Sequence, residues 1–109
     1  METYALCSIT IAEKRPSYVW VRGFSNPYKF EAKVYCVGSG FGINDGRISK
    51  LSVWIDDEEL GKHELVNYDR GWDIQPDDKH KAFVNHVIGL LEAMPQPKHL
   101  KVNQSFDFD

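Results

Sequence analysis

The 109-residue sequence has only two cysteines, Cys7 and Cys36, and each lies inside an apolar, strand-like run. Two cysteines are too few for a disulfide-stapled scaffold, so we interpret both as buried free thiols; the alternative is a disulfide between neighbouring strands. The four histidines form no HExxH pattern and no CxxC pair accompanies them. We therefore expect no metal site and no cofactor.

Long hydrophobic runs and a basic excess are also missing. No apolar run approaches the roughly 20 residues of a membrane-spanning helix, and the Met1-Glu2 start lacks the basic and apolar parts of a signal peptide. We expect a cytoplasmic protein with no membrane partner. The formal net charge is −3, so no overall basic field recruits nucleic acid.

Catalytic patterns are scarce. No serine lies in a nucleophile-elbow context, and no local histidine marks Cys36 as a nucleophile. We predict that the protein is not an enzyme.

The hydrophobic periodicity predicts an α+β fold. Five segments are β-branched, aromatic or alternating, as strands are, at residues 3–12, 17–24, 28–37, 48–55 and 63–68. From Pro76 to Met94 the apolar residues recur at helical spacing, and Pro95 ends the pattern. We predict an antiparallel sheet of about five strands with one long C-terminal helix on one face. The single domain covers residues 1–95, and residues 96–109 form a C-terminal tail.

Residues 37–51, VGSGFGINDGRISKL, hold four glycines within nine positions. A phosphate-binding loop leads from a strand into a helix, whereas this stretch leads into the strand-like ISKLSVWI. Asn44-Asp45-Gly46 is a turn signal. We predict a long hairpin with Val37 opposite Val53. The apolar residues lie at even-numbered positions before the glycines and at odd-numbered positions after them, so we also predict a one-residue bulge among the glycines.

The predicted hairpin contains a trough of side-chain-free positions, which either packs against the helix or admits a ligand or partner chain. The residues at its rim are Arg47, Lys50 and Trp54. A second candidate site is NYDRGWD, in which Arg70 offers a fork for carboxylate or phosphate and the rings offer stacking surfaces. Its binding residues are Tyr68, Asp69, Arg70 and Trp72. The alternative is a structural connection with Trp72 in the core.

Two further candidate binding surfaces are the aromatic face of the sheet and the C-terminal tail. A sheet that exposes aromatic residues binds single strands by stacking; the residues that would do so are Tyr18, Trp20, Tyr35 and Trp54, with charge from Arg22, Lys29, Lys33 and Lys50. In the tail, NQSFDFD, Phe106 and Phe108 alternate with acids. They form either an arm that binds a partner or a last strand of this protein's own sheet.

Two segments resemble a group of short, uncharacterised proteins of bacteriophages and mobile elements. The first has the pattern F-x-A-K-V followed by G-S-x-F-G-I-x-x-G-R-I-S-K-L, between Phe30 and Leu51, and the second is N-Y-D-R-G-W-D at residues 67–73. The group has no established activity. The resemblance implies a phage accessory protein in the host cytoplasm.

Accessory proteins of this kind inhibit host defence, either by docking on a defence protein, as anti-CRISPR proteins do, or by sequestering a nucleotide. We therefore expect a non-catalytic inhibitor whose partner is a host protein of a defence complex. The alternative is a module that binds a small ligand or nucleotide through Arg47, Lys50, Tyr68, Arg70 and Trp72. The oligomeric state stays open, with a homodimer as one alternative.

Overall fold

The computed structural model of the chain describes residues 7–108, which form one antiparallel sheet with a single α-helix against it. Along the described chain the elements are β1 (Cys7–Lys14), β2 (Tyr18–Ser25), β3 (Tyr28–Tyr35), β4 (Ile48–Asp57), β5 (Gly61–Asp69), β6 (Trp72–Ile74), α1 (Lys81–Glu92) and β7 (Ser105–Phe108). The seven strands lie in the order β6-β5-β4-β3-β2-β1-β7. No helix within residues 7–108 has the length and apolarity to span a membrane.

The mostly-sheet architecture with one helix confirms the predicted class, but the predicted number of strands is wrong. The sheet has seven strands rather than five. The prediction missed β6, which has three residues, all exposed, and so shows no alternation of buried and exposed positions. It left open β7, which pairs antiparallel with β1 and brings Phe106 opposite Ile9. The end of the tail, Ser105–Phe108, is therefore one of the two edge strands of the described sheet.

The helix is shorter than predicted. It spans 12 residues, Lys81–Glu92, because the segment before it forms a turn around Asp77. The Asp77 carbonyl accepts hydrogen bonds from the backbone N–H groups of His80 and Lys81, and its carboxylate accepts from the His80 ring at 2.7 Å. At the other end, Met94 N–H donates to Leu91 O, which tightens the last turn before Pro95.

The core lies between the helix and one face of the sheet. Alternating residues along the greater part of β1, β2 and β3 are buried there, as the two-residue pleat requires. The helix α1 contributes Phe83, Val84, Val87 and Leu91 to the same core. Leu100, which follows the helix, is 1% exposed and completes the core. Cys7 and Cys36 are free thiols; Cys7 is buried in this core and Cys36 is half-buried.

The predicted bulge exists, but it lies at Ser49 and not among the glycines. Lys33 pairs with Lys50 and Val34 pairs with Ile48, so Ser49 has no partner on β3. The extra residue lets both Ile48 and Leu51 point into the core, at 0% and 1% exposure. The bulge shifts the alternation of β4 by one residue, so that the apolar residues before and after it both face the core.

The predicted long hairpin is wrong. Val53 pairs with Phe30 rather than with Val37, and residues 36–47 form a folded loop with a 3₁₀ turn at Ile43–Asp45. The apolar side chain of Ile43 is 3% exposed, and its burial favours this loop over an extended ladder.

Two glycines of this loop, Gly38 and Gly42, are required because the loop backbone passes close to them. A Cβ atom at Gly42 would collide with the carbonyl oxygen of Gly46, and one at Gly38 would lie 2.5 Å from the carbonyl oxygen of Asp45. No trough of side-chain-free positions crosses the described sheet, because this segment is not a strand. The element that follows Gly46 is the strand β4, which begins at Ile48, and not a helix, so the phosphate-loop geometry does not arise.

Candidate functional site

The side of the sheet that faces away from α1 is rich in aromatic and charged side chains. We call it the outer face. It consists of the alternate residues of four strands that do not enter the core, which are half-buried or exposed: Tyr18, Trp20, Arg22, Phe24, Lys29, Glu31, Lys33, Tyr35, Lys50, Ser52, Trp54, Asn67 and Asp69. The alternation of YVWVRGF and YKFEAKVY dictates this arrangement, since successive side chains of a strand point to opposite sides.

Aromatic rings and lysines interleave at the centre of the outer face. The Lys33 ammonium lies 4.2 Å from the ring centroid of Tyr18, 5.1 Å from that of Tyr35 and 6.0 Å from that of Trp20. The Tyr18 and Tyr35 rings are cross-strand neighbours with centroids 5.4 Å apart. These distances are those of cation–π contacts, which hold the lysine stems over the rings.

A second ring–lysine contact lies further along the same face. Lys62 Nζ is 4.3 Å from the Trp54 ring centroid. Trp54 therefore extends the aromatic surface from β2 and β3 to β4. The four rings of Tyr18, Trp20, Tyr35 and Trp54 together form a broad surface on three adjacent strands.

The charges of the outer face are mixed. Arg22 lies opposite Glu31 in the register of β2 and β3, and Lys29 forms an ion pair with Asp56. Glu64 accepts hydrogen bonds from Ser52 Oγ at 2.7 Å and from the Asn67 amide at 3.1 Å. Most of the face thus alternates in sign and does not present a continuous basic stripe.

Two hollows lie side by side on this surface and share Lys50. The smaller, of about 240 Å³, is lined by Trp20, Glu31, Lys50, Ser52, Trp54 and Asp69 among others. The larger, of about 560 Å³, lies at the end of β3 and β4 and is lined by Lys33, Tyr35, Val37, Ser39, Phe41, Ser49, Lys50 and Arg70. The lining of the larger hollow contains cations and no acid, whereas the lining of the smaller hollow contains Glu31 and Asp69.

The structure brings four of the predicted site residues together and separates the others. Lys50 and Trp54 lie on the outer face, and Asp69 and Arg70 lie at its end. Tyr68 points to the core side, is 6% exposed and donates a hydrogen bond to Phe41 O at 2.9 Å. Trp72 also lies apart from the outer face, and its ring contacts the Tyr68 ring edge-on, with centroids 5.0 Å apart. Phe106 and Phe108 lie on β7 and pack against the core.

Arg47 was expected at the rim of a binding trough, and its guanidinium instead contacts backbone carbonyl groups of its own chain. It donates to Tyr35 O at 2.8 Å, to Glu92 O at 3.0 Å and to Met94 O at 2.7 Å. Glu92 is the last residue of α1 and Met94 lies two residues beyond it, so the guanidinium lies at the C-terminal end of the helix, where the helix dipole favours positive charge. Arg47 therefore joins the loop to the helix.

The main omission of the sequence reasoning is the contribution of Lys33 and Phe41 to one hollow with Lys50 and Arg70. Lys33 was named only as a source of charge for a stacking sheet. The alternation of YKFEAKVY signals that Lys33 leaves the core face, but no local pattern signals that Phe41 reaches the same hollow, because the loop fold places it there. Among residues 7–108, no three His, Cys, Asp or Glu side chains converge in a way that could hold a metal ion.

Comparison with known proteins identifies the family. A family model described as a domain of unknown function (DUF7678) matches residues 19–92, more than half of the chain, and the chain therefore belongs to that family. The matched segment extends from β2 to the end of α1 and includes both hollows of the outer face. No curated protein and no solved structure matches the chain.

Proposed function

We propose that this DUF7678 protein is a non-catalytic binding protein that docks on a partner protein through the outer face of its sheet. The observation that carries the proposal is the set of four aromatic side chains, Tyr18, Trp20, Tyr35 and Trp54, on the side of the sheet away from the helix. Because these rings are only half-buried, they keep apolar surface in contact with water, and association with a partner would remove that surface from water.

The residue types fit a protein interface. Tryptophan, tyrosine and arginine are the side chains that dominate binding energy in protein complexes, and the outer face holds two tryptophans, two tyrosines and Arg22. Cations and acids alternate around them, as where Arg22 lies opposite Glu31 in the sheet register. Such a pattern complements a partner with its own mixed charges and gives specificity, whereas a polyanion would meet the acids unfavourably.

The biological setting follows from the resemblance to phage and mobile-element proteins. In that setting the protein is a phage-encoded inhibitor, similar in role to an anti-CRISPR protein, and acts in the host cytoplasm. The partner is a host protein of a bacterial defence complex. The two segments with the resemblance contribute Lys33, Lys50 and Arg70 to the outer face and its end, which supports the assignment of this surface to the shared role.

The test is a pull-down from host lysate, followed by calorimetric titration of the purified partner into the purified protein. We expect Trp20→Ala and Trp54→Ala each to weaken binding by about thirtyfold or more, the effect of a central aromatic residue. The control is Val102→Ala, which removes an exposed apolar side chain outside the outer face. Circular dichroism verifies that each variant is folded. The proposal is wrong if both tryptophan variants bind the partner as the unchanged protein does.

A second candidate is a sheet that binds single-stranded nucleic acid. It is favoured by the interleaving of lysines with rings, since Lys33 Nζ lies within 6.0 Å of three ring centroids, and stacking plus charge is how such sheets bind. Titration of a fluorescent oligonucleotide distinguishes the two functions. Nucleic-acid binding requires an affinity that falls steeply with salt and is lost in Trp54→Ala.

A further inference from the structure

The larger hollow of the outer face differs from the rest of that face in its charge. We call it the strand-end groove, with a volume of about 560 Å³, formed chiefly by Lys33, Tyr35, Phe41, Ser49, Lys50 and Arg70. Three of these residues are cations and none is an acid, in a chain whose formal net charge is −3. A cleft lined by charges of one sign attracts ligands of the opposite sign, which here means an anion.

Two of the cations repel each other in the free protein. Lys33 and Lys50 are direct cross-strand partners on β3 and β4, and like charges opposite each other destabilise a sheet. Their ammonium groups lie 6.0 Å and 5.9 Å from the ring centroid of the same tryptophan, Trp20. An anion between them would turn this repulsion into attraction.

The neighbouring carboxylate does not neutralise the groove. Asp69 Oδ1 lies 3.8 Å from Lys50 Nζ and 3.9 Å from Arg70 Nε, so one carboxylate is shared by two cations at long distances. The side chains of Lys50 and Arg70 are 40% and 69% exposed, and exposed pairs of this kind bind weakly. Both cations are available to a stronger anion such as a phosphate.

The backbone of Arg70 adds an independent observation. Its φ is +57°, a left-handed conformation that disfavours a long side chain. Hydrogen bonds hold it in place: Arg70 N–H donates to Ser49 O at 2.9 Å, and Asp69 N–H donates to Gly71 O at 2.9 Å. The tight connection between β5 and β6 thus fixes the backbone of Arg70 beside Ser49 at the groove.

Apolar and aromatic side chains form a further part of the groove lining. Phe41 is 63% exposed and Val37 68% exposed, although both lie in a loop whose Ile43 is buried. Tyr35 faces them from β3. The rings of Phe41 and Tyr35 beside three cations suit a ligand that has a planar ring and a negative charge, and the volume lies within the range of small-molecule sites.

We propose that the strand-end groove binds a nucleoside phosphate, with the phosphate held by Lys33, Lys50 and Arg70 and the base against Tyr35 and Phe41. A free nucleotide and the terminal nucleotide of a single strand share this chemistry. The proposal does not depend on the docking of a partner protein. It assigns a ligand to the end of the face, whereas partner docking is tested at Trp20 and Trp54.

The test is calorimetric titration of the purified full chain with AMP, adenosine and inorganic phosphate separately. We expect AMP to bind one-to-one and at least about tenfold more tightly than adenosine or phosphate, with an affinity that falls as NaCl is raised from about 50 to about 500 mM. A single-stranded oligonucleotide with a 5′-phosphate, compared with the same strand without it, identifies the second source of the ligand.

Two variants test the assignment to these residues. Lys50→Gln and Arg70→Gly are each expected to weaken AMP binding by about tenfold or more. Arg70→Gly suits the left-handed backbone, so loss of binding in this variant cannot be attributed to unfolding. Lys79→Gln serves as the matched control and keeps the AMP affinity, because Lys79 adjoins His80, which contacts Tyr28 at the end of β3 opposite the groove.

The proposal is overturned if AMP gives no saturable binding up to about 5 mM, a range that would detect weak sites. Equal affinity for AMP and adenosine would also overturn it, because the cations would then play no role. So would unchanged AMP affinity in both Lys50→Gln and Arg70→Gly. Oligonucleotide binding that depends on Trp54 but not on Arg70 would assign nucleic acid to the aromatic centre and contradict this site.

Discussion

Arg47 and Glu92 contact each other twice, although they are 45 positions apart in the chain. The backbone N–H of Arg47 donates to the Glu92 carboxylate, and the Arg47 guanidinium donates to the backbone carbonyl of Glu92 at 3.0 Å. This reciprocal contact joins the start of β4 to the end of α1. It also explains why Arg47 is not available to a ligand.

Replacement of Arg47 should destabilise the fold. We expect Arg47→Ala to lower the free energy of unfolding by about 2–3 kcal/mol, because it removes charge-assisted hydrogen bonds to Tyr35, Glu92 and Met94 carbonyls. Arg47→Lys should recover only part of the loss, since an ammonium lacks the planar fork. Urea denaturation measures both values, and Lys98→Ala is the control. A loss below about 0.5 kcal/mol, as for an ordinary surface change, would contradict the role.

Two glycines of the loop between β3 and β4 make a matched pair. Gly42→Ala should cost about 1–3 kcal/mol, the range for overpacking, because the added Cβ would collide with the Gly46 carbonyl. A Cβ at Gly40 would have no atom within 4 Å, so Gly40→Ala should be neutral or stabilising by up to about 1 kcal/mol. Thermal and urea unfolding of both variants check the difference. Equal effects would mean that the loop is not closely packed.

The C-terminal strand should contribute to stability. Phe106 and Phe108 are half-buried on the core side of β7, and Asn103 N–H donates to Ile11 O at 2.8 Å just before it. We expect Phe106→Ala to lower the free energy of unfolding by about 1–2 kcal/mol and truncation after Asn103 to lower it further. Asp107→Ala, at an exposed position of the same strand, is the control. An unchanged melting temperature after truncation would instead favour a free partner arm.

The two cysteines should differ in reactivity. Cys7 is 1% exposed and burial raises the pKa of its thiol above the ordinary value of 9.0, whereas Cys36 is half-buried. With a thiol reagent near neutral pH we expect one equivalent to react in the native protein and two in denaturant. Rapid labelling of Cys7 in the native state would contradict the burial of β1.

The raised pKa of the Cys7 thiol also predicts how the free energy of unfolding changes with pH. Because the folded state favours the neutral thiol, its contribution is complete below pH 9.0 and is lost as the pH rises from that value through the higher folded pKa. The free energy of unfolding should therefore fall at alkaline pH, and less so in Cys7→Ala. Equal alkaline slopes for the two proteins would contradict the assignment.

The candidate surface was partly predictable. The alternation of YVWVRGF and YKFEAKVY identifies Trp20 and Lys33 as residues that avoid the core face, because the pleat of a strand has a period of two. The position of Lys33 opposite Lys50 was not predictable. It depends on the register of β3 with β4, which is set by the bulge at Ser49 and by a loop of 12 residues between Tyr35 and Ile48.

The sequence by itself determined which residues are apolar at periods of two and of 3.6, and hence most strands, the helix and the core. These are local properties, because backbone geometry alone fixes which side chains share a face. Only the tertiary structure decided the fate of the glycine-rich segment and of Arg47. The burial of Ile43 and the contact of Arg47 with Glu92 join distant parts of the chain, and no pattern confined to neighbouring residues contains them.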